Sequence, residues 1–233
     1  MTYVMSDLHG MYDKYMAMLE KISFSEDDIL YLLGDVVDRG DRPVDILLDM
    51  MGRANVYPIM GNHDIYAKSV LKKLNVTITE ENYNTQIDNN LIMGIVTWMQ
   101  DGGTSTIKQF KNLDKEKRRQ VLNYFNEFSL AEAIDVGEKT FILVHAGLNN
   151  FRKDKKLREY TGDELLLGRP NPDKKLFDDD SIYVVMGHTP TPTFTGKPEI
   201  YIRNNNIFID CGACSSKGRL GCLCLDSMEE FYV

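Results

Sequence analysis

The sequence is short of long apolar runs, of basic charge and of dispersed cysteine, and each shortage excludes something. No stretch approaches the roughly 20 apolar residues that a bilayer-spanning helix needs, so no membrane partner is expected. The 27 Lys and Arg against 35 Asp and Glu leave a formal charge of −8. That balance works against broad attraction to nucleic acid or anionic lipid. The four cysteines all fall between Cys211 and Cys224, too clustered for a disulfide framework, and residues 1–7 lack the basic start and apolar stretch of a secretion signal. Reduced thiols in a cytoplasmic protein are the expectation. Disorder is excluded as well. Of the 233 residues 43% are hydrophobic, and with glycine added the apolar share is about half, an ordinary globular value.

What is present is an alternation. Short apolar runs at 3–6, 29–33 and 56–60 read as strands. Between and after them, residues 12–22, 43–51 and 65–74 carry helical patterns, the first with Tyr12, Tyr15, Met16, Leu19 and Ile22 on one face and the second with Pro43 at its start. This βαβαβα rhythm predicts a buried parallel sheet covered by helices. Residues 80–129 differ: helical stretches at 91–99 and 115–128 flank Asp101-Gly102-Gly103, which predicts a helical insertion. Strand-like runs return at 140–145, 181–186, 207–211 and 219–225, with a charged surface excursion over 149–180. The chain reads as one α/β domain over 1–233 with a helical insertion at about 80–129.

Polar residues cluster where the strands end. Asp7 and His9 follow the first strand. Gly34-Asp35-Val36-Val37-Asp38-Arg39-Gly40 follows the second, and Gly61-Asn62-His63-Asp64 the third. His145-Ala146-Gly147 and Gly187-His188-Thr189 close two later strands. Sites in open α/β sheets form at the carboxyl ends of strands, so these groups are predicted to converge on one rim. All four histidines of the chain, His9, His63, His145 and His188, stand at such ends. His, Asp and Asn without cysteine suit divalent ions of intermediate hardness such as Mn²⁺, Fe²⁺ or Zn²⁺. The donors are too many for one ion, and Asp-X-His places carboxylate and imidazole on one face of an extended segment. Two ions sharing a bridging carboxylate suit phosphoester hydrolysis. Singly, each motif is ordinary turn chemistry; the ordered set is not.

In this order, Asp-X-His, Gly-Asp-X-X-Asp-Arg-Gly, Gly-Asn-His-Asp, His-Ala-Gly and Gly-His-Thr resemble the calcineurin-like metallophosphoesterases. Asp38-Arg39-Gly40 points within them to the phosphoprotein phosphatase superfamily, which holds serine/threonine protein phosphatases and symmetrical diadenosine tetraphosphate hydrolases. Trp98-Met99-Gln100-Asp101-Gly102-Gly103-Thr104 is similar to a segment of the bacterial members, whereas Asp64 stands where the eukaryotic protein phosphatases usually carry Glu. The resemblance implies a central β-sandwich flanked by helices. It implies Asp7 and His9 on one metal, Asp35 bridging, and Asn62, His145 and His188 on the second, with manganese preferred and iron or zinc as alternatives. His63 is left as the acid for the leaving oxygen, oriented by Asp38. Arg39 would grip the phosphoryl oxygens. Arg169 is chosen as the second phosphate arginine over Arg152, Arg158 and Arg203.

The implied reaction is direct attack on phosphorus by a metal-bridging hydroxide. The substrate is a phosphorylated protein or small phosphoester, with phosphoserine and phosphothreonine preferred and diadenosine tetraphosphate as the alternative. A catalytically inactive metal-binding protein is the non-enzyme alternative. Cys211-X2-Cys214 with Cys222-X-Cys224 invites a zinc reading, but the alternation with Leu220, Leu223 and Leu225 favours core packing. Lys115-Glu116-Lys117-Arg118-Arg119 reads as a solvated helix face.

Overall fold

The computed structural model describes residues 1–76 and 89–233. Two five-stranded sheets stack on one another. The first runs β10–β9–β1–β2–β3, where β1 is Thr2–Met5, β2 Ile29–Leu33, β3 Val56–Ile59, β9 Gly221–Cys224 and β10 Glu230–Tyr232. The second runs β4–β5–β6–β8–β7, from β4 (Ala131–Val136), β5 (Lys139–Val144), β6 (Ile182–Met186), β8 (Asn206–Phe208) and β7 (Tyr201–Arg203). β1, β2 and β3 are parallel to one another, as are β5, β6 and β8. The expected parallel sheet is therefore two mixed sheets, each parallel at its centre and completed by antiparallel strands at β9, β10, β4 and β7.

Burial on both faces explains why β1 and β2 read as continuous apolar runs. Val4, Leu33 and Ile59 point into the layer between the sheets and meet Phe141, Leu143, Val185, Ile207 and Ile209 there. Their neighbours Met5, Leu30 and Leu32 point the other way, onto the helices. Those helices are α1 (Tyr12–Lys21), α2 (Pro43–Met51) and α3 (Asn62–Leu74), with Tyr15, Met18, Ile46, Leu47 and Leu71 buried among them. Cys222 and Cys224 join the same helix-side core, while Leu223 between them and Cys211 enter the inter-sheet layer. All four cysteines are free.

The described part of the insertion holds α4 (Asn89–Trp98), a wide π-type turn at Met99–Gly103, α5 (Thr104–Asn112) and α6 (Lys115–Tyr124). Residues 80–88 of the expected insertion lie outside the described residues. Asp114 caps α6 by accepting the Lys117 N–H at 2.7 Å. No strand is expected between 129 and 140, where β4 stands. It is an edge strand of its sheet, with Ile134 and Val136 turned to the inter-sheet core and Ala133 and Asp135 exposed, and Gly137 at φ 60° turns it into β5. Within the 149–180 excursion stand a single 3₁₀ turn at Leu157–Glu159 and a short helix α7 (Gly162–Leu166); α8 (Pro192–Thr195) follows β6. Among the described residues, no helix is long and apolar enough to cross a membrane.

Candidate active site

The parallel centres of both sheets aim their carboxyl ends at the same rim. β1 delivers Asp7 and His9 there, β2 delivers Asp35, Asp38 and Arg39, and Asn62 and His63 form the first turn of α3 after β3. From the second sheet, β5 delivers His145 and β6 delivers His188. The loops are held in costly backbone conformations. Asp7, His9, Asp35, Asp38, Arg39 and His188 all have φ between 43° and 72°. A non-glycine residue in that region costs about 1 kcal/mol or more and persists where its surroundings over-determine it. This corrects one expectation: Asp7 and His9 do not lie on a common face of extended chain, because both sit in a left-handed loop beyond the strand.

That loop is tied to its neighbour by backbone hydrogen bonds. The Asp7, His9 and Gly10 N–H groups donate to the carbonyls of Gly34, Asp35 and Val36 at 2.8–3.1 Å. Asp64, buried in the first turn of α3, accepts from the N–H groups of Asp35 (2.8 Å), Val36 (3.0 Å) and Gly61 (3.0 Å). It clamps the Asp35 loop onto α3. Gly61 has to be glycine at this junction, since a Cβ there would stand 2.2 Å from both Asp35 N and Asp35 Oδ1.

Asp35 lies at the centre. Its Oδ2 is 3.6 Å from His9 Nε2, and its Oδ1 is 3.5 Å from His145 Nε2, so its two oxygens face different imidazoles. The Nδ1 atoms of those rings face backbone carbonyls, Val37 O at 3.1 Å for His9 and Leu33 O at 2.7 Å for His145. That fixes the tautomer that leaves each Nε2 with a lone pair, the usual arrangement of a metal-bound histidine. His145 Nε2 then faces the Asn62 carbonyl oxygen, another acceptor, at 2.9 Å, a pairing that a cation between them resolves. The His188 ring meets His145 edge-on with ring centres 5.0 Å apart, and the His188 backbone N–H donates to Asp7 Oδ2 at 2.9 Å.

Two triplets, His9–Asp35–His63 and Asp35–His145–His188, each bring donor atoms within 4.8 Å of one another. Asp35 belongs to both. Asp7 belongs to neither at that spacing, and His63 takes its place in the first. The donor chemistry fits two divalent ions. Burial pushes His9 down to about 3, with Arg39 and His63 adding to the effect, and burial together with His145 pushes His188 down to about 4, so both stand neutral and ready to ligate. Burial also opposes charge on Asp35, but His145, His9 and His63 outweigh it and hold the carboxyl below its ordinary range. Asp7 is forced well above that range by burial and by Asp210 and Asp35. Asp7, Asp35, Asp64 and Asp210 are all at most 4% exposed, and so many buried carboxylates call for positive charge among them.

His63 is held differently. Its Nδ1 donates to Asp38 Oδ2 at 2.8 Å. Asp38, fully buried, also accepts Trp98 Nε1–H at 2.7 Å and the Thr106 hydroxyl at 2.6 Å. Burial pulls His63 down, but the Asp38 hydrogen bond and the charges of Asp35 and Asp38 prevail and raise it above the ordinary imidazole value. The exposed Arg39 fork bridges the two rings, with Nη1 2.8 Å from His9 Nε2 and Nη2 3.0 Å from His63 Nε2. Coordination of a metal by His9 Nε2 would require this fork to leave that nitrogen. Arg39 N–H donates to Gly102 O at 2.9 Å, and Gly102, at φ 103°, has no room for a Cβ, which would stand 2.7 Å from Arg39 Cγ. Arg169 is exposed and acts on the charges of His188 and Asp210. Of its competitors, Arg203 pairs with Asp173 and Arg152 with Asp154, and Arg158 lines a different cleft with Ser129, Tyr160 and Leu165.

The sequence reading brings these residues to one rim but misses several that hold them. Asp210 follows β8 and is pushed upward by burial and by Asp35; an acid at a strand end was the available signal. Trp98 and Thr106 were legible only as part of a similar segment, with no partner to assign.

A β-sandwich with a histidine- and carboxylate-lined rim of this kind defines a metal-dependent phosphoesterase. The family model for calcineurin-like phosphoesterases matches residues 2–210, and the chain belongs to that family. A curated relative from Enterobacter sp. (strain 638), a symmetrical bis(5'-nucleosyl)-tetraphosphatase, is 24% identical over 98% of this chain and 71% of its own. The protein of the same name from Salmonella typhimurium is 39% identical over 71 residues, 30% of this chain and 25% of its own. Among solved structures, one assigned as a diadenosine tetraphosphatase superposes with a TM-score of 0.66 at 17% identity, covering 100% of this chain and 92% of that one. A Saccharomyces cerevisiae protein serine/threonine phosphatase similar to human PP5 superposes with a TM-score of 0.60 at 13% identity, over 95% and 71%.

Proposed function

We propose that this phosphoesterase removes phosphate from phosphoserine and phosphothreonine. Asp7, His9 and Asp35 hold one divalent ion in this reading, and Asp35, Asn62, His145 and His188 the other, with manganese as the metal of choice. Ions bound there supply Lewis acidity toward water and the phosphoryl oxygens. Arg39 and Arg169 take the remaining phosphoryl oxygens and orient phosphorus for in-line displacement. His63 Nε2 gives its proton to the departing oxygen, while Asp38 keeps Nδ1 protonated and the ring in place.

The observation that carries the substrate choice is the Asp38–His63 pair. An alkoxide leaves only with a proton, whereas a nucleotide phosphate is stable as an anion and has little use for an acid. Three hydrogen bonds on a fully buried Asp38 are devoted to orienting that acid. Symmetrical dinucleoside tetraphosphate hydrolysis is the second reading, supported by the names of the relatives. Manganese-loaded protein given phosphoserine and phosphothreonine peptides beside diadenosine tetraphosphate, each with an EDTA control, separates the two. Preferential, EDTA-sensitive release of inorganic phosphate from the peptides is expected. Preferential conversion of the dinucleotide into two ADP refutes the choice.

A further inference from the structure

Resting on the protein-phosphatase reading, a small cleft beside His63 carries information about the leaving group. It is lined by Asn62, His63, Tyr66, Thr97, Trp98, Asp101 and Leu167 and has a volume of about 170 Å³. In-line displacement places the departing oxygen on the side of the acid that protonates it, so whatever is attached to that oxygen enters this cleft. Its walls are apolar and partly exposed: Tyr66 is 39% and Leu167 58% solvent-accessible. The Tyr66 hydroxyl is turned away to donate to Gly94 O at 3.1 Å. Among the described residues no Lys or Arg lines the cleft itself, and Arg39 reaches only its edge, with Nη2 3.0 Å from His63 Nε2. The charge in its lining besides the acid is Asp101, 65% exposed, with Oδ2 3.6 Å from His63 Nε2. Across the described part of the insertion up to Ile107, residues 89–107, Asp101 is the sole charged side chain.

We propose that Asp101 selects the leaving group by charge, favouring a phosphorylated chain segment with Lys or Arg flanking the phosphoresidue and disfavouring an anionic one. An oxygen accepting a proton from Nε2 lies within about 3 Å of it, so a charged group of the leaving portion that bends toward Asp101 can approach its carboxylate to about 5 Å. In water-like surroundings a unit charge at that distance shifts binding severalfold, and two unit charges about tenfold. A diphosphate leaving group meets repulsion here. A basic side chain meets attraction, and the apolar walls accommodate its methylene stem.

The experiment uses the full manganese-loaded chain and two phosphoserine peptides identical except for flanking Lys/Arg in one and Glu in the other. Wild type is compared with Asp101→Asn, which keeps the size of the side chain and removes its charge. The basic peptide is expected to exceed the acidic one about tenfold in kcat/KM, mainly through KM, and Asp101→Asn is expected to shrink that ratio to within about twofold. A fold defect would lower both peptides together and leave the ratio unmoved. Hydrolysis of both peptides with a ratio that Asp101→Asn does not change overturns the inference and leaves the protein-phosphatase reading standing. Failure to hydrolyse either peptide, with p-nitrophenyl phosphate still turned over, overturns that reading and the inference with it.

Discussion

Replacing Asp38 by Asn perturbs the acid without touching a candidate metal ligand. The carboxylate is fully buried and accepts from His63 Nδ1 at 2.8 Å, Trp98 Nε1 at 2.7 Å and Thr106 Oγ1 at 2.6 Å. An amide of the same shape accepts through one atom only, and its NH₂ faces one of these donors. A hydrogen bond to a charged group contributes about 1.5–3 kcal/mol, so the lost imidazolium stabilisation corresponds to about 10- to 150-fold in rate on an alkyl phosphate. The Asp38 hydrogen bond and charge are among the causes that raise His63. The acid works while protonated, so the activity of the wild type falls as pH rises through the His63 pKa, and in Asp38→Asn that fall moves to lower pH. Steady-state kinetics on a phosphoserine peptide and on p-nitrophenyl phosphate, across pH, tests both statements. The aryl phosphate, whose leaving group needs little protonation, is expected to lose less than about fivefold. Equal losses on the two substrates, or an unshifted basic limb, would refute the assignment of His63 as acid and Asp38 as its support.

Other perturbations test the surrounding frame. Gly102→Ala places a methyl group 2.7 Å from Arg39 Cγ in a backbone conformation of φ 103°; KM for phosphate esters is expected to rise severalfold and stability to fall by about 1–3 kcal/mol, read by kinetics and thermal melting. Phe141→Ala hollows the layer between the sheets, where Phe141 is fully buried, and is expected to cost about 3–5 kcal/mol, lowering Tm by about 10 °C. Manganese at a hundredfold excess over its Kd is expected to add about 2.7 kcal/mol per site, a Tm increase that EDTA reverses.

Much of the site was legible because strand ends are local features. Asp7, Asp35, Asn62, His145 and His188 each follow an apolar run, and parallel packing alone brings such ends together. The partners of those residues were hidden for a different reason. Trp98 and Thr106 reach Asp38 across 60 and 68 positions of chain, and nothing in the local pattern announces a contact that depends on how α4 and α5 dock. β4 was missed because an edge strand has a weak hydrophobic signature, and β7, Tyr201–Arg203, and β10, Glu230–Tyr232, because three residues are too few to show a period. Asp64 was visible, but its grip on four backbone N–H groups, those of Asp35, Val36, Val37 and Gly61, appears only when the Asp35 loop folds over the start of α3.

Asp35 stands between two proposed metal positions, one toward His9 and one toward His145. Metal content tests this: the chain is loaded with manganese, freed of excess ion by dialysis, and assayed for manganese per polypeptide in wild type and in His145→Ala. Two ions per chain in the wild type and one in the variant are predicted. A wild-type content of one or none, or a variant that still retains two, would contradict the account.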